Sequence, residues 1–223
     1  MQPLTKLPQT VLARVKPKLR GVSHEIAFYT SLLSGALLVW FAPPGTRVPL
    51  FVCALGQSAM LGISAVYHRP TWLPTARARM RRLDHAGIYL QVAGTYTPIC
   101  LLAVGGDRGT RLLAIMWAVA ALGIVKSAFW AHAPKWLNAG LYLAMGWAML
   151  VEWPAIRAGL DAANIALLFT GGGLYTVGAL IYMRRWPDPR PAVFGYHEIF
   201  HLMVVLASAC HVVMVARIAR VFG

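Results

Sequence analysis

Long apolar runs separated by short polar gaps dominate this chain. A helix needs about 20 mostly apolar residues to cross a bilayer. Seven runs approach or reach that length, over residues 26–42, 48–67, 86–104, 112–130, 137–151, 163–183 and 192–216. The fifth is short and is expected to extend to Trp153. Pro43-Pro44-Gly45, Gly105-Gly106, Pro134, Pro187 and Pro189 fall in the gaps, where helix-breaking residues belong. The pattern predicts an all-α, polytopic membrane protein, a bundle of seven transmembrane helices spanning residues 22–223 behind a basic tail of residues 1–21. A cleaved signal peptide is the rival reading of the first run. That run is long, however, and ends on Pro43-Pro44, a poor cleavage context.

Composition agrees. Hydrophobic residues make up 58% of the chain and charged residues 13%, against about 45–50% and about 25% in soluble domains. The net charge of +14 raises the question of nucleic acid. The basic residues sit in the short gaps instead, as the positive-inside rule requires, and no nucleic-acid partner is expected. The tail and the gaps after runs two, four and six carry fifteen Lys and Arg; the opposite side carries six. A cytoplasmic N-terminus follows, with the tail touching anionic lipid. Cys53, Cys100 and Cys210 lie inside apolar runs and read as small buried hydrophobes.

Ionisable groups within spans are costly and point to function. His68 closes run two, Asp84 and His85 open run three, and His197, Glu198 and His201 lie early in run seven. In this topology all six share one depth at one face. His197 and His201, four residues apart, lie on one helix face and can chelate one cation, with His68 as the natural third ligand. Zinc sites of the catalytic kind commonly use three protein ligands plus water. Asp84 is then placed to bind that water or take its proton. Iron or manganese can use the same donors. Ser64, one turn before His68, is either a polar partner at the site or a hydroxyl bonded to its own helix four residues back. His24, His132 and His211 read more simply as interhelical hydrogen-bond partners, and His85 as an interfacial side chain. His197-Glu198-Ile199-Phe200-His201 also matches H-E-x-x-H, in which Glu is a protease general base.

Ser64-x-x-x-His68, Asp84 and His197-x-x-x-His201 together resemble the haemolysin III family, the bacterial branch of the progestin and adipoQ receptor proteins, in a superfamily with the alkaline ceramidases. Arg20-Gly21-Val22-Ser23-His24, Asp84-His85-Ala86-Gly87-Ile88-Tyr89, Gly94-Thr95-Tyr96-Thr97-Pro98 and His211 also fit, so the resemblance runs from about Arg20 to Val215. It implies Zn2+ held by His68, His197 and His201, Asp84 activating the water, Ser64 assisting, and a bacterial inner-membrane location. In that family the residue after the first histidine of the last span need not be Glu. The Asn-Pro-Asp-Gly or Leu-Asp-Gly segment of intramembrane zinc proteases is missing, Leu83-Asp84-His85 being the nearest approach. The expected activity is hydrolysis of a lipid amide or ester near the cytoplasmic face, in membrane lipid homeostasis, with membrane lipids as substrate or ligand. The alternatives are a regulator or receptor with structural zinc, a pore-forming haemolysin and an intramembrane protease. A pore would need polar residues along its whole length, and here they gather at one face.

Overall fold

A computed structural model describes residues 16–130 and 132–220, so the first fifteen residues of the expected tail lie outside the described part. The described residues form eight α-helices: α1 (Val22–Phe41), α2 (Arg47–His68), α3 (Pro74–Pro98), α4 (Gly106–Phe129), α5 (Lys135–Trp147), α6 (Trp153–Gly159), α7 (Ala162–Arg184) and α8 (Tyr196–Ile218). They make seven spans long and apolar enough to cross a membrane, with α5 and α6 sharing the fifth. Large apolar side chains cover the outside: Phe129 is 85% exposed and Trp40 77%. Such a surface is the lipid face of a membrane protein, since soluble proteins rarely leave contiguous apolar patches this large.

Two spans differ most from the sequence expectation, the third and the fifth. The third span begins at Pro74, not near residue 86. The segment 74–85 is too charged to join an apolar run, yet Ala, Arg and Met are strong helix formers and Pro74 suits a first turn. Asp84 and His85 therefore sit well inside α3. The fifth span is Lys135–Gly159, interrupted by a 3-10 turn over Ala148–Glu152.

That interruption frees backbone groups with no water to receive them. Tyr96, buried in α3, answers them. Its hydroxyl donates to the carbonyls of Met145 and Gly146, both at 3.0 Å, and accepts from the Met149 N–H at 2.8 Å. Around Tyr96 lies the main core, which includes Tyr89, Ile99, Cys100, Met116, Met145 and Met214.

α3 is the central helix, packed on α2, α4, α5 and α8, while α1 bridges α2 and α8. The α2–α3 seam is close enough that a Cβ at Gly56 would lie 2.9 Å from the Leu90 carbonyl oxygen. Small residues let membrane helices approach this way. Midway down the bundle, Gln91 donates to Tyr175 Oη at 2.8 Å and to Ser208 Oγ at 2.7 Å, joining α3, α7 and α8. At the end remote from His68, Arg217 of α8 donates to Asp161 and Asn164 at the start of α7, both at 3.1 Å.

Tyr96→Phe removes one oxygen and strands the groups at the 3-10 turn. We expect a loss of about 1–3 kcal/mol, read as a lower unfolding midpoint in detergent, with the seven-span topology unchanged.

Candidate metal centre

α2 ends at His68 and α8 begins at Tyr196. The start of α8 is fixed by Glu198, whose Oε2 accepts the Gly195 N–H at 2.8 Å, a reach-back that satisfies an orphan donor of the first turn. One turn separates His197 from His201, so both rings project to one side. They meet His68 there. The ring centroids of His197 and His201 are 4.5 Å apart, and His68 lies 4.7 and 4.8 Å from them.

The three side chains each offer a nitrogen, all within 4.8 Å of one another, and His68 Nε2 is 3.4 Å from His197 Nε2. A tetrahedral ion with bonds of about 2.0–2.1 Å separates its ligand atoms by roughly 3.3 Å, so this pair already has the spacing of two ligands. His201 is buried, 2% exposed, and its Nδ1 has no hydrogen-bond partner among the described residues. Buried ring nitrogens demand a partner. Three convergent ring nitrogens form a group that could hold a metal ion.

Asp84 reaches the group from α3, with Oδ2 3.9 Å from His68 Nε2. Ser64 lies within reach of this carboxylate, so it sits on the Asp84 side of the site. His85, the next residue, lines the same cavity with a buried, unpartnered Nδ1. His132 contacts Arg81. His211 lies far down α8 beside the Leu168 carbonyl at 3.4 Å.

Glu198 belongs to another arrangement. Its Oε1 accepts from Arg20 Nε at 2.5 Å while Oε2 holds the cap, and its side chain is 3% exposed. Both oxygens are thus engaged by an arginine and a backbone amide. The literal H-E-x-x-H match marks a capped, ion-paired helix start.

Two further residues matter here: Arg20, and His24, which the sequence suggested as an interhelical hydrogen-bond partner but whose two ring nitrogens are buried without one among the described residues. Arg20 crosses 178 positions to reach Glu198. His24, 2% exposed, stacks on His201 with centroids 3.8 Å apart and planes 8° from parallel. Gly21 makes this possible: its φ is +80°, and a Cβ there would lie 2.8 Å from the His68 Cβ. The one available signal was the Arg20-Gly21-Val22-Ser23-His24 stretch, whose partners are too distant in sequence for spacing to reveal.

The trio, Asp84 and His24 open on a cavity of about 520 Å³ that runs from the helix ends beside His68 to Gln91, Trp147 and His211 deep in the bundle. Its wall is mostly aromatic and aliphatic, the kind of pocket that takes a largely apolar ligand with a few polar anchors.

A family model described as "Haemolysin-III related" matches residues 12–212. The "Hemolysin-3 homolog" of Bacillus subtilis is 39% identical over 127 residues, 57% of each chain. The "Hemolysin-3" of Bacillus cereus shows the same identity over 127 residues, 55% of its own length. The match thus spans just over half of these two relatives. The "Heptahelical transmembrane protein ADIPOR2" of Oryza sativa subsp. japonica is 33% identical over 192 residues, covering 76% of this chain and 81% of that one.

Glu198→Ala leaves Arg20 without its carboxylate and Gly195 without its cap. Breaking one side of a buried pair costs about 3–5 kcal/mol; the part exposure of Arg20, 22%, puts the expected loss near the low end, about 3 kcal/mol. Thermal unfolding in detergent measures it.

Proposed function

The chain belongs to the haemolysin-III-related family, and on that premise we propose that it is a multi-pass membrane hydrolase that uses zinc to cleave an amide or ester bond in a lipid. The observation that carries this reading is a carboxylate beside three convergent imidazoles at the polar end of an otherwise apolar cavity. An amphiphile entering that cavity would place its polar linkage next to Asp84 and its chain in the bundle.

His68, His197 and His201 would hold the ion. Bound there, zinc would make a water acidic at neutral pH and polarise a carbonyl. Asp84 Oδ2 is placed to take the proton of the attacking water and return it to the leaving amine or alkoxide. Ser64, within reach of that carboxylate, would orient it. His24 backs the His201 ring and keeps water from its outer face. The wall of the cavity excludes bulk solvent, which strengthens each of these electrostatic contacts. Three histidine ligands with Asp84 kept for proton transfer would suit catalysis, whereas Asp84 bound to the ion as a fourth ligand would make a closed structural site. We assign the site end to the cytoplasm of a bacterial inner membrane, because the basic residues concentrate there.

Metal content by mass spectrometry on detergent-purified protein tests the premise. The expected result is about one zinc per chain, lost in His68→Ala and in the His197→Ala/His201→Ala double variant. No stoichiometric metal in a folded protein removes the hydrolase mechanism. With metal present, Asp84→Asn should abolish turnover of lipid amides or esters while Glu198→Gln keeps it. The reverse pattern would identify a protease. Metal that supports thermal stability without any lipid turnover would identify a regulator with a structural ion.

A further inference from the structure

α3 presents one continuous stripe to the cavity: Arg77, Arg81, Asp84, Ile88, Gln91 and Thr95. The steps of four and three residues keep these side chains on one helix face. At about 1.5 Å of rise per residue, Arg81 lies about 5 Å and Arg77 about 10 Å from Asp84 along the axis, toward the helix start. Thr95 lies about 16 Å from Asp84 the other way. The stripe therefore passes from cations, through the carboxylate, to an apolar length ending in small polar groups.

Arg20 and Lys135 join the two arginines in the same wall, and among the described residues Asp84 is its only carboxylate. Glu198, which faces Arg20, lies outside the wall. Lys135 Nζ sits 4.1 Å from the Tyr182 ring centroid and 5.5 Å from that of Tyr196. Arg81 meets His132 through one terminal nitrogen, while its Nε is buried with no hydrogen-bond partner among the described residues. A guanidinium donor left in that state favours an anion, which it binds with directed, charge-assisted hydrogen bonds.

Basic residues at this depth have an ordinary explanation in membrane topology. Arg79 and Arg82 of the same helix fit it, being exposed and absent from the wall. Arg81 differs, half-buried and lining the inside, and Arg77, though exposed like them, borders the cavity at its mouth.

We infer that the cavity takes an amphiphile with an anionic headgroup, phosphate or carboxylate, held by Arg81 with Arg77 at the rim. The linkage lies at Asp84 and the chain runs inward past Ile88, Gln91 and Thr95. The anion sits on the far side of Asp84 from the chain, so it belongs to the headgroup portion of the molecule. This deepens the hydrolase reading by naming its substrate class, although binding itself does not require turnover.

Native mass spectrometry on the full chain in neutral detergent tests it, with dodecyl phosphate, dodecanoate and monododecanoylglycerol as probes and inorganic phosphate as competitor. The expected result is that at least one anionic probe is retained about tenfold more tightly than the neutral one, the scale of one charge-assisted contact. Which anion is preferred identifies the headgroup. Arg81→Gln should erase the preference and Arg77→Gln should reduce it, while the outward Arg79→Gln leaves it intact. His197→Ala, which breaks the histidine group, should also leave it intact. Equal retention of the neutral probe overturns the inference, as does a preference unchanged by Arg81→Gln and Arg77→Gln. Inorganic phosphate competing as well as dodecyl phosphate would show a small-anion site and overturn it too. A preference lost in His197→Ala would place the anion on the histidine group, overturning the inference and sparing the hydrolase reading. A preference that persists in a protein without lipid turnover sinks the hydrolase reading alone.

Discussion

Everything in this bundle answers to one constraint: hydrocarbon offers no hydrogen bonds, so each polar group within the spans must find its partner inside the protein. Most obey visibly. Tyr96 serves the broken fifth span, and Gln91, Tyr175 and Ser208 bond one another. Ser31 and Ser58 pair across α1 and α2 at 2.9 Å. Against that background the exceptions stand out. The unpartnered buried nitrogens of His24, His85, Arg81 and His201 all belong to residues lining one cavity. Among the described residues, most of this unmet demand gathers at that cavity, the buried Tyr89 hydroxyl lying outside it.

The same constraint explains what could be read from the sequence. Apolar length gave seven spans, because a helix that satisfies its own backbone needs no more than that to cross a bilayer. Shared depth brought His68, Asp84, His197 and His201 to one end, because topology fixes which helix ends are neighbours. The start of α3 escaped this logic. Residues 74–85 are helical by propensity while being too charged for an apolar scan, so four arginines were read as loop. The 3-10 turn in the fifth span escaped as well, since its support comes from Tyr96, 49 residues away from Met145.

Side-chain direction was the hardest thing to foresee. Nothing local distinguishes a Ser64 that bonds its own helix from one that turns to Asp84, and the choice depends on where α3 lies. Glu198 shows the same limit from the opposite side. Its spacing matches a protease base, while its partners, Arg20 and the Gly195 amide, make it a structural brace. Spacing identifies which residues can meet one another, and the remaining fold decides which do.

The stretch before α1 is stitched to the far end of the chain. Lys18 and Leu19 donate backbone hydrogen bonds to Ala192 and Val193 at 3.0 and 3.1 Å, Arg20 pairs with Glu198, and His24 stacks on His201. Ribosomes make the first of these partners some 170 residues before the second. During synthesis, therefore, six spans can enter the bilayer while the centre is still only half built. Its final histidines arrive with the last helix, and the long loop closure they complete is the kind of contact that forms late. A nascent chain stalled before α8 would carry an inserted scaffold whose histidine group is still incomplete.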